Sequence, residues 1–240
     1  MPENERPSST DPLKALLEGE IDIVGQIPWS SNATFLVNCT IDKIIQPGVY
    51  KPMAGEGLLW DFPEGIYRNE VAAWIVSQAL GWELVPHTVE RYDAPYGIGS
   101  IQRAIDADFD QHYFTLLEDE SHHERLKLLC AFDVITNNAD RKSGHCLIDS
   151  FGKIWGIDHG LCFHEEEKLR TVIWEFAGES LKDQVITDLY SFSRQMPDLL
   201  DSYLAPSEIA ALARRAEELA CEGRLPHPPP SRRNYPWPLV

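Results

Sequence analysis

The sequence has few cysteines, no basic stripe and no long apolar run, and each absence excludes a class. The five cysteines among 240 residues (Cys39, Cys130, Cys146, Cys162 and Cys221) are odd in number, scattered, and form no C-x-x-C pair. Neither a disulfide framework nor a zinc ribbon is expected, and a reducing, cytoplasmic compartment fits. No apolar stretch approaches the roughly 20 residues that span a bilayer. Met1 to Asp11 is polar and lacks an apolar h-region, unlike a secretory signal. Integral membrane association is therefore not expected. Basic residues number 21 against 38 acidic ones, a net charge of -17. Such a surface repels phosphate backbones, so nucleic-acid binding is not expected, and no basic amphipathic helix offers a membrane anchor.

What is present is ordinary globular composition, 43% hydrophobic and 25% charged, arranged as strands first and helices later. Residues 1–10 read as disordered. Asp11-Pro12 reads as the start of a short helix that Gly19 ends. Ile21 to Val24, Thr34 to Val37 and Gly48 to Pro52 read as strands, the first two around the turn Gly25 to Asn32. Asn69 to Leu80 reads as a helix with Val71, Trp74 and Ile75 on one face. Leu84 to Tyr92 and Tyr96 to Ile105 read as further strands. Ser121 and Glu124 form a capping box ahead of an apolar helix. A hairpin, Cys146 to Asp149 with Lys153 to Ile157, precedes helices over Leu181 to Gln195 and Ser207 to Glu222, and a proline-rich tail follows. The boundaries drawn are a tail at 1–10, a sheet domain at 11–105, a mainly helical domain at 106–224 and a second tail at 225–240. This is α+β order rather than alternating βαβ.

Two acids stand out. Asp140 lies where an apolar helix gives way to the polar run Asn137-Asn138-Ala139-Asp140-Arg141-Lys142-Ser143-Gly144-His145. Asp158 comes eighteen residues later, in Ile157-Asp158-His159-Gly160. Carboxylates fixed at the two ends of a hairpin suit orientation of a hydroxyl nucleophile and binding of a metal on a nucleotide phosphate. Lys51 at a strand end supplies a cation for the phosphates, and Glu70 on the following helix suits holding it.

In this order the residues resemble the protein-kinase-like superfamily, most closely its phosphatidylinositol 3-/4-kinase-like branch. Asn138-Ala139-Asp140-Arg141 is similar to that branch's catalytic loop, and Ile157-Asp158-His159-Gly160 to its metal motif. Val49-Tyr50-Lys51-Pro52 resembles its lysine strand, and Asn69-Glu70-Val71-Ala72 its helix glutamate. The HipA-like serine kinases of bacterial toxin–antitoxin pairs share a similar loop, and the chain is identified as a member of an actinobacterial family that bears this same resemblance. The resemblance implies a two-lobed fold, with a small antiparallel sheet and one helix in the N-lobe and helices in the C-lobe. It implies an ATP-dependent phosphotransferase using Mg²⁺ or Mn²⁺, with ATP and a protein or small-molecule acceptor as partners. Asp140 and Arg141 take the catalytic roles, with Arg141 steadying the loop or neutralising phosphate. Asp158 and His145 hold the metal, Lys51 and Glu70 serve the phosphates, and adenine lies against Gln102 and Ala104.

Two departures stand beside this. Where the family has asparagine as second metal ligand, this chain has His145, and imidazole suits Mn²⁺ better than Mg²⁺. There is no G-x-G-x-x-G; only Ser30, Ser31 and Asn32 offer hydroxyl and N–H groups to phosphates. Both departures leave open a nucleotide-binding pseudokinase that acts as a scaffold, and the same pocket suits AMP transfer. Each residue also has a plainer use: Glu70 complements a helix dipole, Asn137-Asn138 caps a helix, and Asp158 sits in a turn. His164 with Glu165 to Glu167 lacks a zincin's second histidine and reads as an acidic loop.

Overall fold

The computed structural model describes residues 12–28, 32–57, 59, 62–230 and 233–239. The expected disorder of residues 1–10, the Asp11 cap, and Ser30 and Ser31 lie outside them. The chain divides into two compact units, Met1–Gly57 with His87–Ala104, and Leu58–Pro86 with Ile105–Val240. The sequence boundary placed 58–86 with the sheet; those residues group with the helices instead.

The first unit is a five-stranded antiparallel sheet, β1 (Glu20–Gln26), β2 (Phe35–Ile41), β3 (Ile44–Pro52), β4 (Thr88–Arg91) and β5 (Gly99–Arg103), in the order β1-β2-β3-β5-β4. Alternation sorts its side chains. Val37, Cys39, Tyr50, Val89 and Ile101 form one apolar face, which α1 (Pro12–Glu18) covers with Leu13 and Leu16. β3 ends at Pro52 as its sequence suggests but begins at Ile44, before the expected Gly48. Pro47 sits inside the strand, but its backbone faces the β5 side beyond the last β3–β5 pair, Gly48 with Arg103. There its missing N–H removes no ladder bond, and its carbonyl accepts from Ala104 N at 3.0 Å. The fourth strand is shorter than the apolar run. Leu84 and Val85 donate their N–H groups to Ser77 Oγ, and Leu84 O accepts from Gly156 N, so this segment is bonded outside any strand ladder.

The second unit contains α2 (Tyr67–Ala79), a short α3 (Tyr113–Leu116), α4 (His123–Thr136), the hairpin β6 (Cys146–Ile148) and β7 (Ile154–Gly156), α5 (Asp183–Arg194) and α6 (Pro206–Glu222). The sequence reading did not anticipate α3. Helix α2 is buried on nearly every side, including Asn69, Glu70, Val71, Ala72 and Val76, rather than on the single face its pattern suggested. The expected capping box of Ser121 and Glu124 is replaced by a 3-10 turn, Glu120–His122, capped by Asp119, whose carboxylate accepts from Ser121 N at 2.9 Å. Glu124 instead meets Lys127 and Lys182. Leu126, Leu129, Cys130, Phe132 and Ile135 of α4 run through the core of this unit, against residues from α2, the hairpin and α6. Among the described residues no helix is long and apolar enough to cross a membrane.

Candidate active site

Helix α4 delivers the loop that carries Asp140. It ends at Asn137 in the left-handed conformation, φ 56 and ψ 47, which asparagine tolerates because its short side chain bonds locally. Asn137 Nδ2 donates to the carbonyls of His164 (2.9 Å) and Glu166 (2.6 Å), and its Oδ1 accepts from Lys168 N at 2.9 Å. Asn138 Oδ1 accepts the Asp140 N–H at 2.9 Å, fixing the backbone of the acid. The Arg141 backbone pairs with 170–172, donating to Arg170 O and accepting from Val172 N.

Beneath the loop lies a charged hub without solvent. Arg141 and Asp133 are each 0% exposed, joined at 2.9–3.0 Å through Nε and Nη2. Arg141 Nη1 also donates to Ile157 O at 2.7 Å and His145 O at 3.2 Å, tying together the ends of the hairpin. Its Nη2 lies 2.8 Å from His159 Nε2; because guanidinium only donates, that nitrogen is the acceptor and His159 carries its proton on Nδ1. Asp133 further accepts from Asn138 Nδ2 and Thr171 Oγ1. Burial opposes the Arg141 charge, and Asp133 overrides it, leaving the guanidinium more basic than usual.

Above the hub the acids are open. Asp140, 26% exposed, accepts from Lys142 Nζ at 2.6 Å. Burial pushes its carboxyl above the ordinary aspartate range, Lys142 pulls it down, and the charge of Asp158 pushes it up. The hairpin returns the chain to Asp158, which is 44% exposed and left-handed at φ 60. His145 Nε2 lies 3.2 Å from its Oδ2, and His145 Nδ1 accepts from Lys142 N at 3.4 Å. Helix α2 clamps the next residues: Glu70 Oε2 accepts from His159 N at 3.0 Å, and Asn69 Nδ2 donates to Gly160 O and Cys162 O.

The second unit thus brings together Asp140, Arg141, His145, Asp158 and Glu70. Lys51 and Gln102 belong to the other unit, where β3–β5 register places them with Val49 and Ser100 on the sheet face opposite α1. Gln102 Nε2 donates to Thr88 Oγ1, and the Ala104 N–H is committed to Pro47 O. Asp133, Asn69, Lys142 and Thr171 were missed. The signal for Asp133 was an acid inside the apolar run Ala131-Phe132-Asp133-Val134-Ile135, since an unpaired acid is almost never buried.

The chemistry available is that of oxygen and imidazole. Burial pushes the Cys146 thiol up to about 12 and raises Cys130 and Cys162, so these cysteines are not nucleophiles. Among the described residues no three His, Cys, Asp or Glu side chains form a preformed cation cluster. Asp158 and His145 supply one oxygen and one nitrogen donor, a set that fits a divalent ion whose remaining ligands are phosphate and water.

Across 95% of its length the chain is 39% identical to Protein Rv2133c of Mycobacterium tuberculosis (strain ATCC 25618 / H37Rv), 95% of which is covered. The chain belongs to the family of Protein Rv2133c. No family model matches the sequence. In structure it is similar to hydra Fam20, solved with sugar, at TM-score 0.56 and 13% identity, covering 88% of this chain and 86% of that one. The fold shared by this member of the Rv2133c family and Fam20 is protein-kinase-like. The Helicobacter pylori proinflammatory kinase CtkA aligns more loosely, at TM-score 0.47 and 12% identity over 88% of this chain and 94% of that one.

Proposed function

We propose that this chain is an ATP-dependent phosphotransferase, resembling the phosphatidylinositol 3-/4-kinases in its motifs. It transfers the γ-phosphate to a hydroxyl of a protein or small molecule. The observation that carries the reading is the pair of open carboxylates, Asp140 and Asp158, set on one buried Arg141–Asp133 hub and coupled electrostatically. Phosphoryl transfer asks a protein mainly for positioning and charge. Asp140 orients the attacking hydroxyl and accepts its proton, and its raised pKa makes it a stronger base than an exposed aspartate. Arg141 is fully enclosed, so of its two expected roles steadying the loop is the one its geometry supports. Glu70 orients the Asp158 turn through the His159 N–H. Asp158 and His145 would hold a divalent cation, Mg²⁺ or Mn²⁺, whose chemistry there is to neutralise phosphate charge. Lys51 serves the phosphates, with Ser30 and Ser31, and Gln102 and Ala104 serve adenine.

The charge of -17 and the absence of a membrane-crossing helix among the described residues favour a protein or small-molecule acceptor over a phosphoinositide surface, which would repel this chain. Five free thiols, four of them buried, favour a reducing cytoplasm. The test is ATP turnover and autophosphorylation with Mg²⁺ and Mn²⁺. Wild type is active and Asp158→Ala inactive; equal inertness across a broad acceptor panel overturns catalysis. His145→Asn shifts preference from Mn²⁺ towards Mg²⁺, and unchanged selectivity removes His145 from the metal shell.

One observation favours a second reading, a nucleotide-binding scaffold without turnover. Both acids already have cationic or imidazole neighbours, Lys142 at 2.6 Å and His145 at 3.2 Å, which compete with hydroxyl and metal. Thermal stabilisation by nucleotide without turnover selects that reading.

A further inference from the structure

The proline-rich tail is bonded to the catalytic loop. Leu239 O accepts the Ser143 N–H at 2.8 Å, three residues past Asp140. Asn234 O accepts from Thr171 N and from Trp174 Nε1, each at 3.1 Å. Thr171 is the residue that bridges Arg141 through backbone and bonds Asp133 through its hydroxyl. The tail therefore meets the loop directly at Ser143, and at Thr171 and Trp174 it meets the segment that pairs with Arg141. Asn234 Nδ2 donates to Pro229 O, closing the tail on itself, and its prolines restrict the backbone.

From this we infer that residues 233–239 are a positioning segment for the catalytic loop, holding the Asp140 backbone in register. The inference rests on the proposed role of Asp140. The segment is a brace and not a plug. Its anchors, Ser143 and Thr171, are fully enclosed, whereas Asp140 and Asp158 stay 26% and 44% exposed with the tail in place. The loop's other amides have partners outside the tail: Ala139 N donates to Leu161 O, Asp140 N to Asn138 Oδ1 and Arg141 N to Arg170 O. Without Leu239 the Ser143 N–H loses this partner and the stretch is anchored only at its far end, where His145 meets Ile157 N, Arg141 Nη1 and Asp158; a loop misplaced by a fraction of an ångström loses rate rather than substrate affinity.

The experiment compares the full chain with one ending at Trp237, which keeps the Asn234 anchor and removes the Ser143 contact. Amide hydrogen exchange at Ser143 quickens about tenfold or more while α4 stays protected. The phosphotransfer kcat falls about tenfold with KM for ATP unchanged. Unchanged Ser143 exchange, or a rise in kcat on truncation, overturns the brace. Fast Ser143 exchange in the full chain overturns it too, whether or not the shortened chain folds. If the full chain transfers no phosphate, the proposed function fails, and the exchange comparison still decides whether the tail orders the loop.

Discussion

Replacing Arg141 by alanine tests whether the site stands on its buried ion pair. Asp133 would keep only Asn138 Nδ2 and Thr171 Oγ1 as partners for a fully enclosed carboxylate. The His145 and Ile157 carbonyls would lose their shared donor. Removing one partner of a buried pair costs about 3–5 kcal/mol, because the remaining charge is uncompensated. Against a total stability of about 5–15 kcal/mol, that is a large fraction. With a urea m-value near 3 kcal/mol/M, the unfolding midpoint falls by more than about 1 M. Asp133→Asn should cost a similar amount. Because Asp133 and Arg141 are in direct contact, the double variant Asp133→Leu with Arg141→Met should be far less destabilised than the two singles combined. Urea titrations followed by tryptophan fluorescence supply the numbers. A loss below about 1 kcal/mol in either single variant, or full additivity in the double, refutes the hub.

The raised pKa of Asp140 means that its contribution to stability declines as pH rises from the ordinary aspartate value through the folded one. Lys142→Met removes the cation that holds it down, so the decline extends to higher pH and the acid limb of any Asp140-dependent rate moves up. Coincident pH profiles of melting temperature in wild type and variant would count against this. In the sheet unit, a Cβ on Gly99 would lie 2.3 Å from Lys51 O and 2.7 Å from Pro52 Cα. Gly99→Ala should cost about 1–3 kcal/mol and quicken amide exchange in β3 and β5 without affecting α4; an unaltered β3–β5 exchange pattern rejects that.

The hairpin, the antiparallel character of the sheet and the loop positions of both acids were legible because each depends on local chemistry. Apolar runs bounded by turn residues gave β6, β7, α5 and α6, and polar residues ending an apolar helix marked the Asp140 loop. The kinase-like resemblance rested on four short motifs, and at the level of fold the similarity to Fam20 agrees with it. What escaped depends on distant partners. Nothing near Asp133 in sequence shows that it meets Arg141, and nothing in the tail shows that Leu239 reaches Ser143. Ser121 and Glu124 fit a capping box by spacing, yet Asp119 competes for the same backbone N–H and wins. Helix α2 shows a face by its pattern, but burial on nearly every side makes its polar Asn69 and Glu70 clamps rather than solvent-facing groups.

Three of the six left-handed non-glycine positions among the described residues lie close to the acids. Asn137, Asp158 and Phe163 have φ values of 56, 60 and 71, a conformation that costs a non-glycine residue roughly 1–2 kcal/mol. At Asp158 the peptides on both sides are clamped, Ile157 O by Arg141 Nη1 and His159 N by Glu70. The side chain itself is 44% exposed, so packing is not the reason for the conformation. The carboxylate is what this backbone presents. Asp158→Gly and Asp158→Ala both remove it and differ only in whether a Cβ must sit in the left-handed region. After allowing about 0.4–1 kcal/mol for the freer unfolded chain of glycine, the glycine variant should be the more stable by about 1 kcal/mol. Both should be inactive in phosphotransfer. Equal stability of the two would mean that the turn relaxes and is not clamped, and full turnover in either would mean that the strained carboxylate has no part in the chemistry.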